Sequence, residues 1–411
     1  MIRVEEALAE LAKLRPLGVE RVPLSEALGR VLADPVHARS DWPPFKTSAM
    51  DGYAVRAADA ASAGASLRER PGLVAAGDPP PPPIEPGEAV RVMTGAPLPG
   101  NTGAVVPVER AVREEGRVRL DEAPAPGAHI RRRGESVAAG TRLLDAGRRL
   151  AASDVALAAL AGADPVALFR EPRVVIAVTG NEIVPVSEEP GPGRLRDSNG
   201  PMLAALCRER GVSPVRIERR RDDPDSVAAL FADASGGIDL LLTTGGVSAG
   251  DLDLLPAAAE GAGFELVFRG VSVRPGKPVV FGRRGETLWL GLPGNPVSSA
   301  VTFHLFAREM LGRLRGEKHP AAPRLTARLA RGVGPAGPRE TYRDGSWRIE
   351  EGESVVEPIR SAGSHDLAAH ARANVLVRLP AGSGPFAPGA TVECLLIGSA
   401  PAGAPETGTV R

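Results

Sequence analysis

The sequence predicts a multidomain protein of the α/β plus β class: a three-layer α/β domain, a helical domain carrying an inserted β-rich domain, and a C-terminal β-barrel. Three observations lead there. Between residues 171 and 318, apolar runs without polar alternation, such as Val174–Val178 and Ile238–Leu242, alternate with helical stretches; this is the pattern of a mostly parallel sheet covered on both faces. Ahead of it, two helical parts, 1–44 and 131–170, flank a stretch of short apolar runs broken by Gly and Pro over 45–130, which reads as a β-rich domain inserted into one discontinuous domain. Beyond the linker His319-Pro320-Ala321-Ala322-Pro323, residues 319–411 hold short alternating runs suited to a small barrel.

Taken in order, Val4, Ala7, Leu8, Leu11 and Leu14 share one helical face, with Glu5, Glu6, Glu10 and Lys13 opposite. A second helix is expected over Leu24–Leu32, and Trp42-Pro43-Pro44-Phe45 forms a stiff extended connection. The inserted domain contributes Tyr53–Val55, Ala89–Met93, Ala104–Val108 and Val118–Leu120 as strands, and Pro79–Pro83 as a polyproline II loop. Val155, Leu157, Ala158 and Leu160 restore helical spacing, with Ser153 or Asp154 as the cap. The α/β part then offers strands at Val174–Val178, Val212–Ile217, Ile238–Leu242, Phe264–Phe268, Lys277–Phe281 and Leu288–Leu290. Helices open at Asp197-Ser198-Asn199-Gly200-Pro201 and Asp222-Asp223-Pro224, and a final one of about four turns runs to Leu314. Leu325–Leu329, Val375–Leu379 and Val392–Leu396 are the barrel's expected strands.

Composition narrows the function classes. Lys+Arg and Asp+Glu balance at 50 each, so no overall field draws the chain to nucleic acid or to an acidic membrane. The two cysteines, Cys207 and Cys394, have no zinc-site spacing and imply no disulfide framework. No stretch of 18 apolar residues occurs and the acidic start lacks a signal-peptide core, so a cytoplasmic protein without a membrane partner is expected. Neither a P-loop nor a dinucleotide glycine fingerprint is present.

In a parallel α/β sheet, ligands bind beyond the C-terminal ends of the strands. Three loops there carry polar residues: Thr179–Glu182, Thr243–Asp253 and Gly291–Pro296. In the second, Thr244, Gly245, Gly246 and Ser248 follow a buried strand, so successive backbone N–H groups are available to an anion, with Asp251 and Asp253 placed to hold a hard cation. A plain turn with solvated aspartates accounts for the same residues. Glu182 and Asp222 join these aspartates on one sheet edge, and oxygen ligands from several loops suit Mg²⁺. Arg269, Arg274 and Lys277 form a second group that either clamps an oxyanion or decorates an exposed turn.

Five motifs, in order, turn these readings into a resemblance: Ser48-Ala49-Met50-Asp51-Gly52-Tyr53-Ala54, Met93-Thr94-Gly95-Ala96-Pro97, Thr243–Asp253, Arg274-Pro275-Gly276-Lys277-Pro278 and Gly291-Leu292-Pro293-Gly294-Asn295-Pro296. Together they resemble the MoeA-type molybdopterin molybdenumtransferases, whose fold the gephyrin C-terminal domain shares. The resemblance covers nearly the whole chain. It implies the last step of molybdenum cofactor synthesis, in which adenylylated molybdopterin and molybdate react, AMP is released and molybdenum stays on the pterin dithiolene, with Mg²⁺ or a similar ion assisting. Residues 171–318 would be the molybdopterin-binding domain. The family's functional acids fall on Asp51, Glu182, Asp222 and Asp253, joined by Thr94. Pro293 and Pro296 match loop-shaping prolines, and Arg343 and Ser364 match barrel positions important in the family. The resemblance further implies a homodimer in which Asp51 and Thr94 act on the partner's cleft, with a molybdopterin adenylyltransferase and molybdoenzymes as protein partners. Adenylyl transfer to molybdopterin, or a gephyrin-like scaffold without catalysis, are the alternative functions. Arg269 and Arg274 stand where lysine is frequent, Asn181 where Asp often precedes the Glu, and Leu252 where Tyr is frequent.

Overall fold

The fold is that of a computed structural model, which describes residues 1–234, 237–246 and 254–398. Helix α1 (Val4–Leu11) opens the chain, with Glu6 accepting from the backbone N–H of Arg3 at 2.8 Å. Its buried face, Val4, Ala7 and Leu11, packs into the core of the α/β domain. The second expected helix is absent: only Leu24–Glu26 form a single 3₁₀ turn. Pro23 precedes it and Gly29 at φ 74° stops it, and left-handed backbone cannot continue a right-handed helix. Two short antiparallel pairings join the two halves of the discontinuous domain instead, Val19–Val22 with Val166–Phe169 and Val36–His37 with Arg142–Leu144, and a third, Thr47–Ser48 with Ile130–Arg131, closes the base of the inserted part.

Between those halves lies a six-stranded sheet. Its strands are β1 (Gly52–Val55), β2 (Ser66–Glu69), β3 (Glu88–Val92), β4 (Ala104–Pro107), β5 (Ala111–Glu114) and β6 (Arg117–Leu120), ordered β4-β1-β3-β2-β6-β5. Helix α2 (Ala152–Leu160) follows, and Asp154 accepts from the N–H of Ala151 at 3.0 Å to satisfy its first turn.

The α/β domain has β7 (Val174–Thr179), α3 (Asn199–Glu209), β8 (Arg216–Arg220), α4 (Pro224–Asp233), β9 (Leu240–Thr244), α5 (Leu254–Gly261), β10 (Glu265–Arg269), β11 (Val280–Arg284) and β12 (Thr287–Leu292). They run in the order β8-β7-β9-β12-β11-β10, the first four parallel and β11 antiparallel to both neighbours. β7 and β9 are buried along their whole length, as expected for central strands under two helical layers. β8 starts at Arg216 rather than Val212, because Val212 is buried in the core below the sheet while the edge strand is built from half-exposed charged residues. β11 starts at Val280, since the carbonyl of Lys277 is turned back to accept from Val271 N–H at 2.9 Å. On the other face Trp289 meets Phe231 edge-on at 4.9 Å between ring centroids. The last helix is one rod: α6 (Pro296–Thr302), a π-helical stretch Phe303–Ala307, and α7 (Arg308–Leu314).

The C-terminal domain comprises β13 (Arg324–Leu329), β14 (Glu340–Glu350), β15 (Glu353–Pro358), α8 (Leu367–His370), β16 (Val375–Leu379) and β17 (Thr391–Leu396). The ring β14-β15-β13-β17-β16 closes back on β14, a five-stranded barrel. Gly345 lies inside it, where a Cβ would stand 2.8 Å from Val356 Cγ2. No helix among the described residues is long and apolar enough to cross a membrane.

Arg315, just past α7, ties the discontinuous domain to the α/β domain. Its side chain is 2% exposed, donates to the carbonyls of Gly29 and Arg210, and pairs with Glu171 at 2.9 Å and Glu317 at 3.3 Å. Burial nonetheless raises the Glu171 carboxyl, with the arginine charges only partly opposing it. Removing one partner of a buried ionic network leaves charges uncompensated. Arg315→Ala is therefore expected to cost about 3 kcal/mol or more, seen as a lower urea midpoint.

Candidate active site

The C-terminal ends of β7, β9 and β12 lie in register, Val178 beside Thr244 and Thr244 beside Leu292. Thr244 donates through Oγ1 to the carbonyl of Pro293 at 3.0 Å, and Asn199 Nδ2 donates to Thr244 Oγ1 at 2.9 Å and to the carbonyl of Gly294 at 2.7 Å. Gly245, at φ 93°, packs so closely on β7 that a Cβ would stand 2.4 Å from the Thr179 carbonyl oxygen. Gly294 touches Gly245 in turn, its Cβ position 3.4 Å from Gly245 Cα. Three loops thus meet backbone to backbone, and at Gly245 only glycine permits that approach. Gly246 (φ 59°) continues the turn. Ser248, Asp251, Leu252 and Asp253 lie outside the described residues.

Glu182 is exposed on the loop after β7, and Asp222 is half-buried just ahead of α4. The backbone N–H of Asp222 donates to Asn181 Oδ1 at 3.3 Å. Its carboxyl is raised from the ordinary range, first by burial and next by the negative charge of Glu182, against hydrogen bonds from Thr179 and Asn181. The two carboxylates are therefore close enough to repel. Asp223 beside them caps α4, accepting from Ser226 N–H at 2.9 Å. Among the described residues no group of three or more His, Cys, Asp or Glu side chains is placed to hold a metal ion. A pair of carboxylates still suits Mg²⁺, which keeps several waters and takes its remaining oxygens from substrate phosphates.

A cleft of about 1010 Å³ opens between the α/β domain and the barrel. Arg274 and Lys277 line it from one side, Arg343 on β14 and Ser364 from the other. Arg274, Lys277 and Arg343 have no carboxylate partner among the described residues, and Asp344 is the one acid in the lining. Gly276 lets the Arg274–Pro278 loop press against α6, where a Cβ would meet Thr302 Cγ2 at 2.3 Å. Pro293 is buried at the end of β12 and Pro296 is the first residue of α6. The loop between them reaches the cleft: Asn295 Nδ2 donates to Ser364 Oγ at 3.0 Å, and Val297 N–H to the Ser364 carbonyl at 3.0 Å. One short segment thus touches both the glycine loop and the basic cleft. Arg269, exposed at the end of β10, is not part of the cleft wall.

Asp51 and Thr94 stand together in the inserted domain, just outside β1 and β3. Asp51 Oδ1 accepts from Thr94 N–H at 2.7 Å and Thr94 Oγ1 at 2.8 Å. These bonds, the backbone one foremost, hold its carboxyl below the usual carboxylate range. Gly52 follows because a Cβ there would sit 2.2 Å from the Val106 carbonyl oxygen. Asp51 and Thr94 are exposed, and neither lines the cleft of its own chain.

Several participants escape sequence reasoning. Asn199 reads as a helix-opening residue, yet it is buried, bridges two site loops, and keeps an unpartnered Oδ1. Arg339 and Arg360 add positive charge to the cleft, where Arg331 is paired with Glu357 at 3.0 Å; among 50 basic residues nothing local distinguishes them. Asp344 and its partner His370 are likewise brought together only by the barrel fold.

The comparisons with known proteins agree along the chain. Residues 2–162 match the MoeA N-terminal region (domain I and II), 175–313 a probable molybdopterin binding domain, and 326–397 the MoeA C-terminal region (domain IV). A molybdopterin molybdenumtransferase of Synechococcus elongatus is 38% identical over 399 residues, covering 95% of this chain and 97% of the relative. One from Nostoc sp. is 35% identical over 373 residues, covering 88% and 85%. Among solved structures, a molybdopterin biosynthesis MoeA protein from Pyrococcus horikoshii superposes with a TM-score of 0.81 at 31% identity, covering 96% of this chain and 99% of that one.

The Asp51–Thr94 geometry gives a direct test. Thr94→Val removes the hydroxyl bond and keeps the backbone one, so the Asp51 carboxyl is expected to rise toward the ordinary carboxylate range, as read by an NMR pH titration of its side-chain carbon.

Proposed function

The chain belongs to the MoeA family, and from that membership we infer that its carboxylate edge and basic cleft work as one composite site of a molybdopterin molybdenumtransferase. The activity is the final step of molybdenum cofactor biosynthesis, with molybdopterin and molybdate as substrates. Neither adenylyl transfer alone nor a non-catalytic scaffold is favoured, since the likeness extends over the domains that flank the molybdopterin-binding part.

The observation that carries the composite reading is the Gly291–Pro296 loop, whose residues contact both Gly245 and Ser364. We assign the phosphates of adenylylated molybdopterin to the glycine turn after β9, where Gly245 and Gly246 carry no side chain to bar an approach to the backbone, although the Gly245 N–H itself is taken by the Leu292 carbonyl at 3.3 Å. Molybdate, a tetrahedral dianion, fits the basic cleft, with Arg274, Lys277 and Arg343 supplying charge and Ser364 a hydroxyl donor. The guanidinium of Arg274 holds two oxygens in a fixed fork where an ammonium would give a point charge. Soft sulfur for the metal comes from the pterin dithiolene, which accounts for two buried cysteines with raised thiol pKa values taking no part. Glu182 and Asp222 are the described residues that would hold Mg²⁺, with Asp251 and Asp253 as further candidates from the sequence. When bound, Mg²⁺ would neutralise charge on the phosphate oxygens as the AMP link breaks.

Asp51 and Thr94 complete the site in trans in this reading, within a cytoplasmic homodimer that takes its substrate from an adenylyltransferase and passes its product to molybdoenzymes. Their distance from the cleft of their own chain supports this arrangement. Purified protein given adenylylated molybdopterin, Mg²⁺ and molybdate should release AMP only with all three present; binding without turnover would refute the catalytic reading. Asp51→Ala and Asp253→Ala should each abolish turnover, and mixing the two dead proteins should restore about a quarter of wild-type rate, because half of randomly assorted dimers are mixed and each keeps one intact site. No recovery despite verified mixed dimers would exclude sharing.

The raised Asp222 carboxyl adds a pH prediction. A cation must displace its proton, so Mg²⁺ affinity should increase as pH rises from acid toward neutral. Asp222→Asn should flatten that dependence, measured by competition with Mn²⁺ in paramagnetic resonance.

A further inference from the structure

Asp344 is the one carboxylate among the residues that line the basic cleft, and it is 5% exposed. Behind it, His370 at the end of α8 approaches with Nδ1 2.8 Å from Asp344 Oδ1, its ring 11% exposed. A carboxylate only accepts, so Nδ1 carries the proton and Nε2 remains the site of protonation. We propose that the Asp344–His370 pair couples oxyanion binding in the cleft to proton uptake, so that the anion binds tightly only when His370 is charged. This rests on the assignment of molybdate to that cleft.

The argument is electrostatic. With His370 neutral, the pair carries a net charge of −1 into a cleft built to receive a dianion, and it cancels part of the field of Arg274, Lys277 and Arg343. With His370 protonated, the pair is neutral overall and the opposing charge is gone. By linkage, whatever makes the anion bind better on protonation also makes His370 hold its proton more firmly once the anion is bound. The other groups facing His370 leave this coupling in place. His304, from the π-helical stretch, is buried with its pKa pushed down to about 3, chiefly by burial, and stays neutral. α6, packed against α8, has no titratable side chain. Asp366 and Arg372, of opposite charge, belong to the segment of His370 itself. His365 is exposed at the cleft and is the competing source of any pH effect.

Isothermal titration of the full chain with sodium molybdate, between pH 6.5 and 8 in two buffers of different ionisation enthalpy, tests the coupling. Wild type is expected to bind roughly tenfold more tightly at the lower pH and to take up a fraction of a proton. His370→Gln, which can still donate to Asp344 but cannot titrate, should bind weakly at both pH values with little uptake. Asp344→Asn should bind tightly at both, and His365→Gln should keep the wild-type profile. A His370→Gln protein with the wild-type profile, or loss of the profile in His365→Gln alone, overturns the proposal. Absence of molybdate binding at every pH instead overturns the assignment of the cleft and the proposal with it.

Discussion

The approach of Gly245 to the carbonyl of Thr179 is the constraint from which the site is built. With 2.4 Å available to a Cβ that is not there, the turn after β9 can lie against the end of β7 and leave Gly294 room on its other side. Thr244 and Asn199 then lock the ends of β9 and β12 to the start of α3 by hydrogen bonds of 2.7 to 3.0 Å. A side chain at Gly245 would separate the loops, and the path from carboxylate edge to basic cleft through Asn295 and Ser364 would open with them. Such close backbone packing gives the loops few alternative arrangements, which is what preorganised binding of phosphates requires.

The charges on this frame are segregated rather than paired. Glu182 and Asp222 repel one another at one end, while Arg274, Lys277 and Arg343 lack carboxylate partners at the other. Elsewhere in the molecule arginines are neutralised closely, as Arg170 is by Asp239 and Arg378 by Glu340. Unpaired like charges cost folding free energy, and a protein retains them where a ligand of opposite charge will compensate. In the proposed site a cation would answer one end and an anion the other, the two demands of a substrate that brings phosphates to one place and an oxyanion to another.

The sequence made the α/β domain legible because its buried strands are uninterrupted apolar runs: Val174–Thr179 extends the expected Val174–Val178 by one residue, and Leu240–Thr244 lies two residues on from the expected Ile238–Leu242 because Asp239 ahead of it is taken by Arg170. Leu24–Leu32 misleads because spacing alone ignores the left-handed Gly29, and β14 hides because Glu340–Glu350 is a polar strand that turns Gly345 and Trp347, rather than Val or Leu, toward the barrel core. Site residues followed the same rule. Glu182, Asp222 and the glycine turn were readable from their place at strand ends, whereas Arg343 and Ser364 came only through the family resemblance. Asn199, Asp344 and His370 could not be read at all, since each owes its position to a partner 26 to 95 residues away.

That separation bears on Asp51. Its carboxyl is fixed by two hydrogen bonds from Thr94 and held ionised, yet nothing in its own chain's cleft uses it. An exposed carboxylate pinned in one orientation loses side-chain entropy without burying surface in return. Its two bonds tie the loop ahead of β1 to the loop after β3. One short pairing, Thr47–Ser48 with Ile130–Arg131, closes the base of the inserted domain, and the pinned acid beyond it is not in the lining of its own chain's cleft. In the proposed homodimer the partner's cleft would meet this acid: Asp51 is organised before encounter, and assembly rather than folding would complete the site.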